Sequence, residues 1–156
     1  MGGEDRAARA ALEEKVDFVR ELAVLIARSP SGLAAAWPVV ETVQTDGVCT
    51  EVLAPAPALD ADLASVATEA ALRIAGELGV TGVLAVEMFE VRPGTGGAAA
   101  YVVNELAMRP HNSGHWSMDG AVTGQFEQHL RAVLDLPLGD PRPRVAVDRD
   151  GQRPRR

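Results

Sequence analysis

The chain has 156 residues, a length typical of one globular domain, and 47% of them are hydrophobic, an ordinary value for a folded protein. Acidic residues outnumber basic ones, 22 against 15, which argues against a dedicated nucleic-acid-binding protein. The single cysteine, Cys49, excludes an internal disulfide and a cysteine-rich zinc site. Neither a secretory signal nor an apolar run long enough for a membrane span is found, so we expect a cytoplasmic protein without a membrane partner.

Basic residues are unevenly distributed along the chain. Lys15 is the only lysine, and no glycine-rich segment precedes it, which excludes a phosphate loop of the Walker type. Residues 141–156 contain six arginines and three prolines but little apolar sequence, so we predict a disordered tail. Contact of this basic tail with nucleic acid is the alternative interpretation.

The first third of the chain predicts an antiparallel meander of three strands. Alternating apolar residues indicate strands over residues 16–28, 34–44 and 47–55. Turn sequences separate them, namely Ser-Pro-Ser-Gly after the first strand and Thr-Asp-Gly after the second. Pro38 within the second strand indicates a sheet edge or the start of a strand, because proline donates no backbone hydrogen bond.

The remainder alternates between helices and strands. A helix is predicted from a cap at Asp60 or Asp62 to Gly79, with Leu63, Val66, Ala70, Ile74 and Leu78 facing the core. Strands 82–91 and 99–107 flank a glycine-rich turn, and a polar loop occupies 109–120. A second amphipathic helix over 123–136 would direct Phe126, Leu130, Val133 and Leu134 inward. This order of elements predicts an α+β fold.

The hairpin between the last two strands predicts a pair of facing carboxylates. A turn centred on Gly96 places Glu87 directly opposite Glu105, on the same face of the sheet. The same register pairs Phe89 with Val103 and Val91 with Tyr101, which are sensible apolar partners. Asn104 adds an amide oxygen beside Glu105.

Three interpretations of this pair remain open. Like charges that face each other destabilise a sheet unless a cation neutralises them, and Mg²⁺ prefers carboxylate oxygens. A slipped register or a solvated strand end would leave the two glutamates as ordinary surface residues. A carboxylate pair that works as general acid and base is the third interpretation.

The loop that follows is dense in side chains that bind anions or metals. Arg109 suits a planar anion, because its fork of donors matches carboxylate or phosphate. His111 and His115 have the spacing of a zinc pair but would need a third ligand, and we expect His129 on the polar face of its helix. A capped, hydrogen-bonded connector is the alternative, although it fits this density of donors poorly.

One segment is recognisable as a family signature. The stretch NELAMRPHNSGHWSMDGAVTGQFEQHLRAVLDLPLGD, residues 104–140, closely resembles the ATP-grasp domain of the N5-carboxyaminoimidazole ribonucleotide synthases. The resemblance extends upstream through LEEKVDFVRELAVLIARSPSG, WPVVETVQTDGVC and ELGVTGVLAVEMFEV. RPHNSGHW together with FEQHLRA is the most specific part, whereas a glutamate pair on strands is common to ATP-grasp enzymes. Met108 departs from the family, in which many members carry proline.

The resemblance implies a fold and a domain organisation. The fold would be the C-terminal lobe of an ATP-grasp domain, an antiparallel sheet with helices packed on one face. Residues 1–12 would form a helical lead-in, residues 13–140 the lobe, and residues 141–156 the disordered tail. The lobe that carries the family's phosphate-binding lysines has no counterpart here, so we expect a truncated fragment with weak nucleotide affinity and no detectable carboxylation by itself.

The resemblance also implies an activity. These ATP-dependent ligases carboxylate 5-aminoimidazole ribonucleotide with ATP and bicarbonate in purine biosynthesis, and they use Mg²⁺ or Mn²⁺. By the same resemblance we expect a homodimer. The family's metal ligands correspond to Glu87 and Glu105. Its nucleotide-binding positions correspond to Glu13, Glu14, Lys15, Glu21 and Asn104. The catalytic loop that meets bicarbonate or carboxyphosphate corresponds to Arg109, His111 and Asn112. The alternative is an inactive or regulatory ATP-grasp fragment that is not an enzyme.

Overall fold

A computed structural model describes residues 15–92 and 100–144, and its elements follow the predicted order. The elements are β1 (Phe18–Arg28), β2 (Ala34–Ala36), β3 (Val40–Thr45), β4 (Val48–Leu53), α1 (Ala61–Glu77), β5 (Gly82–Val91), β6 (Ala100–Ala107), a 3₁₀ turn (Asn112–Gly114), α2 (Ser117–Gly120) and α3 (Gln125–Val133). The predicted second strand is divided around Pro38, which cannot donate to a ladder. None of the helices in the described residues is long and apolar enough to cross a membrane.

Strand β1 lies at the centre of an antiparallel sheet. The strand order is β4-β3-β1-β5-β6, and β2 pairs with the C-terminal end of β1. Strands β1, β3 and β4 form the predicted meander, and β5 and β6 form the predicted hairpin. Because β1 is hydrogen-bonded on both edges, it fixes the relative positions of these two units.

The two faces of the sheet are covered by different helices. Leu22, Val24 and Ile26 of β1 pack in one cluster with the alanines that α1 presents to the sheet. Leu25 and Ala27 pack in a second cluster, which includes Ala132 of α3. Side chains alternate between faces, so an uninterrupted apolar run requires cover on both. The α+β class is confirmed, but the expectation that the helices pack on one face is wrong in this detail.

Helix α1 begins and ends at the predicted residues. The Asp60 carboxylate accepts hydrogen bonds from the backbone N–H groups of Asp62 and Leu63, both at 3.0 Å. Gly79 follows the helix with a positive φ of 61°, as a left-handed terminator requires. The predicted core positions Val66 and Leu78 are exposed, because a line of alanines, Ala67, Ala71 and Ala75, lets the helix approach the sheet closely instead.

Helix α3 is rotated relative to its predicted orientation. The four side chains expected inside are exposed, namely Phe126, Leu130, Val133 and Leu134. Gln125, Gln128 and Ala132 are fully buried in their place. His129 also faces the sheet, where its Nδ1 accepts a hydrogen bond from Val83 N–H at 3.1 Å, so its predicted place on the polar face is wrong. Apolar periodicity misassigned this helix because the buried glutamines are satisfied by hydrogen bonds.

Ordered structure continues beyond the predicted start of the tail. Pro143 forms an antiparallel bridge with Ala121, and Arg144 N–H donates to Gly120 O at 2.7 Å. Val122 N–H donates to Arg142 O at 2.9 Å. The predicted boundary at residue 140 is therefore too early by at least four residues. The rest of the tail and residues 1–14 lie outside the described residues.

Two glycine-to-alanine substitutions should change stability in opposite directions. Gly82 has a φ of 101°, and a Cβ there would lie 2.7 Å from the His129 ring, so Gly82→Ala should cost about 1–3 kcal/mol of unfolding free energy. Gly76 lies in α1 with open space around it, and Gly76→Ala should add about 0.5–1 kcal/mol. Urea denaturation measures both, and a neutral Gly82→Ala would contradict the close contact with His129.

Candidate functional site

A polar cleft of about 550 Å³ lies on the sheet face opposite α1, beyond the part that α3 covers. Residues from five strands and one loop line it: Glu21 of β1, Thr42 and Gln44 of β3, Val48 and Cys49 of β4 with Gly47 just before it, Glu87 of β5, Asn104 and Glu105 of β6, and His111, Asn112 and Ser113 of the loop. The apolar residues Ala85 and Leu25 on the same face are buried next to it. The cleft therefore begins where the apolar sequence of the central strands ends.

The facing carboxylates are at the predicted register. Glu87 and Glu105 are Cα partners on adjacent antiparallel strands, as the hairpin pattern predicts. The pairing shifts by one residue immediately beyond them, so the predicted pairs Phe89–Val103 and Val91–Tyr101 are wrong and the observed pairs are Phe89–Val102 and Val91–Ala100. Residues 93–99, including the predicted centre at Gly96, lie outside the described residues.

The register shift is a β-bulge whose extra residue is Asn104. Glu87 pairs with Glu105 and Met88 pairs with Val103, which leaves Asn104 without a partner on β5. A bulge redirects the side chains around it, and bulges are common beside functional sites. Asn104 and Glu105 consequently both line the cleft, although they are consecutive residues of a strand.

The cleft concentrates negative charge around Glu87. The pKa of Glu87 is raised, first because the side chain is partly buried and then because Glu105 and Glu21 are nearby. The positive charge of Arg109 opposes this shift. Repulsion among neighbouring carboxylates is the situation that a bound cation relieves.

The oxygen donors of the cleft fit a hard divalent cation better than zinc. Glu87, Glu105 and Asn104 offer two carboxylates and an amide, the ligand type that Mg²⁺ prefers. Within residues 15–92 and 100–144, no three His, Cys, Asp or Glu side chains form a ready metal cluster. His115 is exposed and does not line the cleft, so it gives no support to the zinc alternative.

His111 connects the loop to the carboxylate pair. Its Nε2 lies 3.1 Å from Glu87 Oε1, and its Nδ1 accepts from the Ser113 backbone N–H at 3.4 Å and lies 2.9 Å from Ser113 Oγ. The pKa of His111 is lowered, first by burial and then by the charge of Arg109, which favours the neutral ring. With Nδ1 as acceptor, the proton is assigned to Nε2, which donates to Glu87.

The structure brings together most of the predicted site residues. The cleft contains six of them, Glu21, Glu87, Asn104, Glu105, His111 and Asn112. Arg109 is exposed beside the cleft, and its guanidinium donates to Pro110 O at 3.1 Å. Lys15 is exposed at the start of the described residues and does not line the cleft, and Glu13 and Glu14 lie outside those residues.

Sequence reasoning missed the contribution of the β3–β4 hairpin. Thr42 pairs with Glu21 and Gln44 follows two residues later, so both project from the same face as Glu21. Because Thr42 and Gln44 are two residues apart in one strand, the sequence indicates that they share a face. Placing that face beside Glu21 required the pairing of β1 with β3. Cys49 is half-buried in the cleft, where burial first and then the charges of Glu87 and Glu21 raise the pKa of its thiol.

Removing the Glu87 charge should stabilise the metal-free protein. The raised pKa means that the folded state favours the protonated carboxyl, so stability decreases as the pH rises through that pKa. Glu87→Gln keeps an oxygen that accepts from His111 and should increase Tm at about pH 7, and the increase should shrink as the pH falls towards about 4.

Thermal unfolding in chelator-treated buffer measures this difference. Glu77→Gln, an exposed substitution at the end of α1, is the matched control and should leave Tm nearly unchanged. A lower Tm for Glu87→Gln at neutral pH would show that the carboxylate pair is not under repulsion.

Comparison with known proteins places this geometry in a family. An N5-carboxyaminoimidazole ribonucleotide synthase of Mycobacterium tuberculosis is 67% identical over 129 residues, which cover 83% of this chain and 29% of that protein. The crystal structure of N5-carboxyaminoimidazole ribonucleotide synthetase from Thermus thermophilus is similar with a TM-score of 0.76 and 45% identity, over 84% of this chain and 35% of that one. The resemblance recognised in the sequence is thereby confirmed.

A third relative was solved with ligands. The N5-carboxyaminoimidazole synthase from Aspergillus clavatus, in complex with ADP and 5-aminoimidazole ribonucleotide, has a TM-score of 0.73 and 35% identity, over 82% of this chain and 33% of that one. The chain thus spans about a third of the length of these relatives. The ATP-grasp domain model matches residues 2–126, and the chain belongs to the ATP-grasp family.

Proposed function

We propose that the chain contributes the metal- and carboxyphosphate-binding lobe of an N5-carboxyaminoimidazole ribonucleotide synthase. In the proposed reaction ATP phosphorylates bicarbonate to carboxyphosphate and leaves as ADP, and the exocyclic amine of 5-aminoimidazole ribonucleotide then captures the carboxyl group while inorganic phosphate is released. The main support is the meeting of the Glu87–Glu105 pair with the RPHNSGHW loop in one cleft, within a region 67% identical to a synthase of that name. We propose residues 13–140, extended to Arg144, as the lobe.

The carboxylates would hold Mg²⁺ or Mn²⁺. Glu87 and Glu105 would supply charged oxygen ligands, and Asn104 would supply a neutral one from the bulge. The bound cation would neutralise negative charge on the phosphates during transfer. The Nε2–H of His111 would hold the Glu87 carboxylate in one orientation.

The loop and the N-terminal segment would contact the substrates. Arg109 is exposed at the edge of the cleft, so its fork of donors is available to an anionic carboxyphosphate, and Asn112 lines the wall beside it. Glu21 would accept hydrogen bonds from the ribose hydroxyls of ATP. We keep Glu13, Glu14 and Lys15 as the proposed adenine-binding segment on the basis of the sequence resemblance.

Direct metal titration tests the carboxylate assignment. Electron paramagnetic resonance of Mn²⁺ should show binding by the unaltered chain, because Mn²⁺ accepts the same oxygen ligands and is visible to the method. Glu87→Gln and Glu105→Gln should each weaken binding by about tenfold or more, the loss expected for an interaction of about 1.4 kcal/mol.

Matched controls separate this site from general attraction by an acidic protein. Glu77→Gln on α1 removes the same charge far from the cleft and should leave Mn²⁺ affinity nearly unchanged. ADP should bind more tightly with the metal present than without it. Equal loss of affinity in all three glutamine variants, or no Mn²⁺ binding by the unaltered chain, would contradict the proposed function.

We also propose a homodimer, as the resemblance implies. The outward face of α3 leaves four large apolar side chains exposed, of which Leu130 and Leu134 are the most accessible. Sedimentation velocity should show association that Leu130→Glu abolishes and that Leu78→Glu, at the exposed end of α1, leaves unchanged. A monomer at every concentration would contradict this assignment.

A further inference from the structure

Helix α3 carries two buried glutamines that hydrogen-bond to the backbones of two different segments. Gln125 and Gln128 have no exposed surface. The Gln125 amide donates to His111 O and accepts from His111 N–H, both at 2.9 Å. The Gln128 amide forms the same two hydrogen bonds with Gly139, both at 2.7 Å. Each side chain thus satisfies the donor and the acceptor of a single residue.

The geometry of the first pair depends on the conformation of His111. Its φ of −132° and ψ of 156° are extended, so its N–H and C=O point to the same side, as in a residue of an antiparallel ladder. A primary amide presents one donor and one acceptor side by side and therefore matches both groups. His111 is thereby held much as a strand residue would be, although it lies in a loop.

The neighbouring loop residues are shaped to allow this contact. A Cβ at Gly114 would overlap both Gln125 Oε1 and Leu25 Cδ2, so only glycine lets the loop approach this closely. Ser117 Oγ donates to Gly114 O at 2.5 Å and accepts from Gln125 N–H at 3.0 Å. The loop is therefore joined to the first residue of α3 through both the side chain and the backbone of Gln125.

Fixing the His111 backbone also fixes where its ring meets Glu87. The ring has its Nδ1 side occupied by Ser113, which leaves Nε2 directed at Glu87 Oε1 at 3.1 Å. From the Gln125 amide, the chain of contacts runs through the backbone, Cβ and imidazole ring of His111 to the Glu87 carboxylate. The Cβ of His111 is the one side-chain methylene between the two ends.

We propose that Gln125 is a positioning residue for the metal ligand Glu87, acting through His111. This inference rests on the proposed function, in which Glu87 holds a divalent cation. Groups that hydrogen-bond to metal ligands set the orientation of those ligands, and their loss commonly weakens metal binding by about 10–100-fold. His111 hydrogen-bonds to Glu87 directly, and Gln125 hydrogen-bonds to the backbone of His111. Gln125 is therefore one further residue among the groups that orient this ligand.

The chain provides its own matched control in Gln128. Gln125→Met and Gln128→Met both replace a buried amide by an unbranched side chain of similar size, and each leaves one backbone N–H and one C=O without their partner. Their effects on stability should therefore be similar. Only Gln125→Met should weaken Mn²⁺ binding, by about tenfold or more, in titrations of the full chain.

A spectroscopic measurement without metal tests the same connection. In the unaltered chain, ¹⁵N NMR of the His111 ring should show a protonated Nε2 and an unprotonated Nδ1, with a slowly exchanging Nε2 proton. Gln125→Met should make that proton exchange faster and mix the two tautomers, whereas Gln128→Met should not. Ser117→Ala, a milder change that loosens the loop from α3, serves if Gln125→Met does not fold.

The outcomes separate the two proposals. Equal Mn²⁺ affinity for Gln125→Met and the unaltered chain, or equal weakening by Gln128→Met, would overturn the positioning role. Unchanged His111 ring signals in Gln125→Met, or in Ser117→Ala if only that variant folds, would overturn it as well. Absence of Mn²⁺ binding by the unaltered chain would overturn the proposed function, and the ring signals would then decide by themselves whether Gln125 fixes His111.

Discussion

Strand β1 has apolar side chains on both faces, and this constraint determines the rest of the structure. From Leu22 to Ala27 every residue is buried, so one helix must cover each face of the sheet. Helix α1 covers one face along the strand, whereas α3 covers only part of the other. The first polar residues on that second face, Glu21 and Glu87, occur where the cover ends, so the end of the core and the start of the cleft coincide.

Two interactions determine the arrangement of the cleft: repulsion between the carboxylates of Glu87 and Glu105, and the hydrogen bond from His111 to Glu87. Glu87 and Glu105 are brought together by the strand register, which raises the pKa of Glu87 beyond the effect of its burial. A neutral His111 donates to Glu87 without cancelling its charge, so the pair keeps its attraction for a cation while one carboxylate is held in place. The repulsion between the carboxylates therefore lowers the stability of the metal-free protein at the position where a bound cation would relieve it.

The β-bulge at Asn104 and the buried side chains of Gln125 and Gln128 both fix the positions of residues at the edges of the core, through different interactions. The bulge places Asn104 and Glu105 on one side of β6, which regular alternation forbids. The glutamines hold two segments against α3 through polar contacts and leave the apolar residues of that helix outside. Both features add specific geometry at the edges of the core, where apolar packing alone would not select one arrangement.

The sequence by itself determined the order of elements, a helix cap at Asp60 or Asp62, and the opposition of Glu87 and Glu105, because each follows from local chemistry or from a short hairpin with period-two alternation. The RPHNSGHW segment also identified the family, and the resemblance carried six residues that line the cleft. Only the tertiary structure decided the bulge at Asn104, the orientation of α3 and the contribution of Thr42 and Gln44. These depend on long-range partners: Gln125 is buried because the backbone of His111 satisfies its amide, and hydrophobic periodicity contains no information about such a partner.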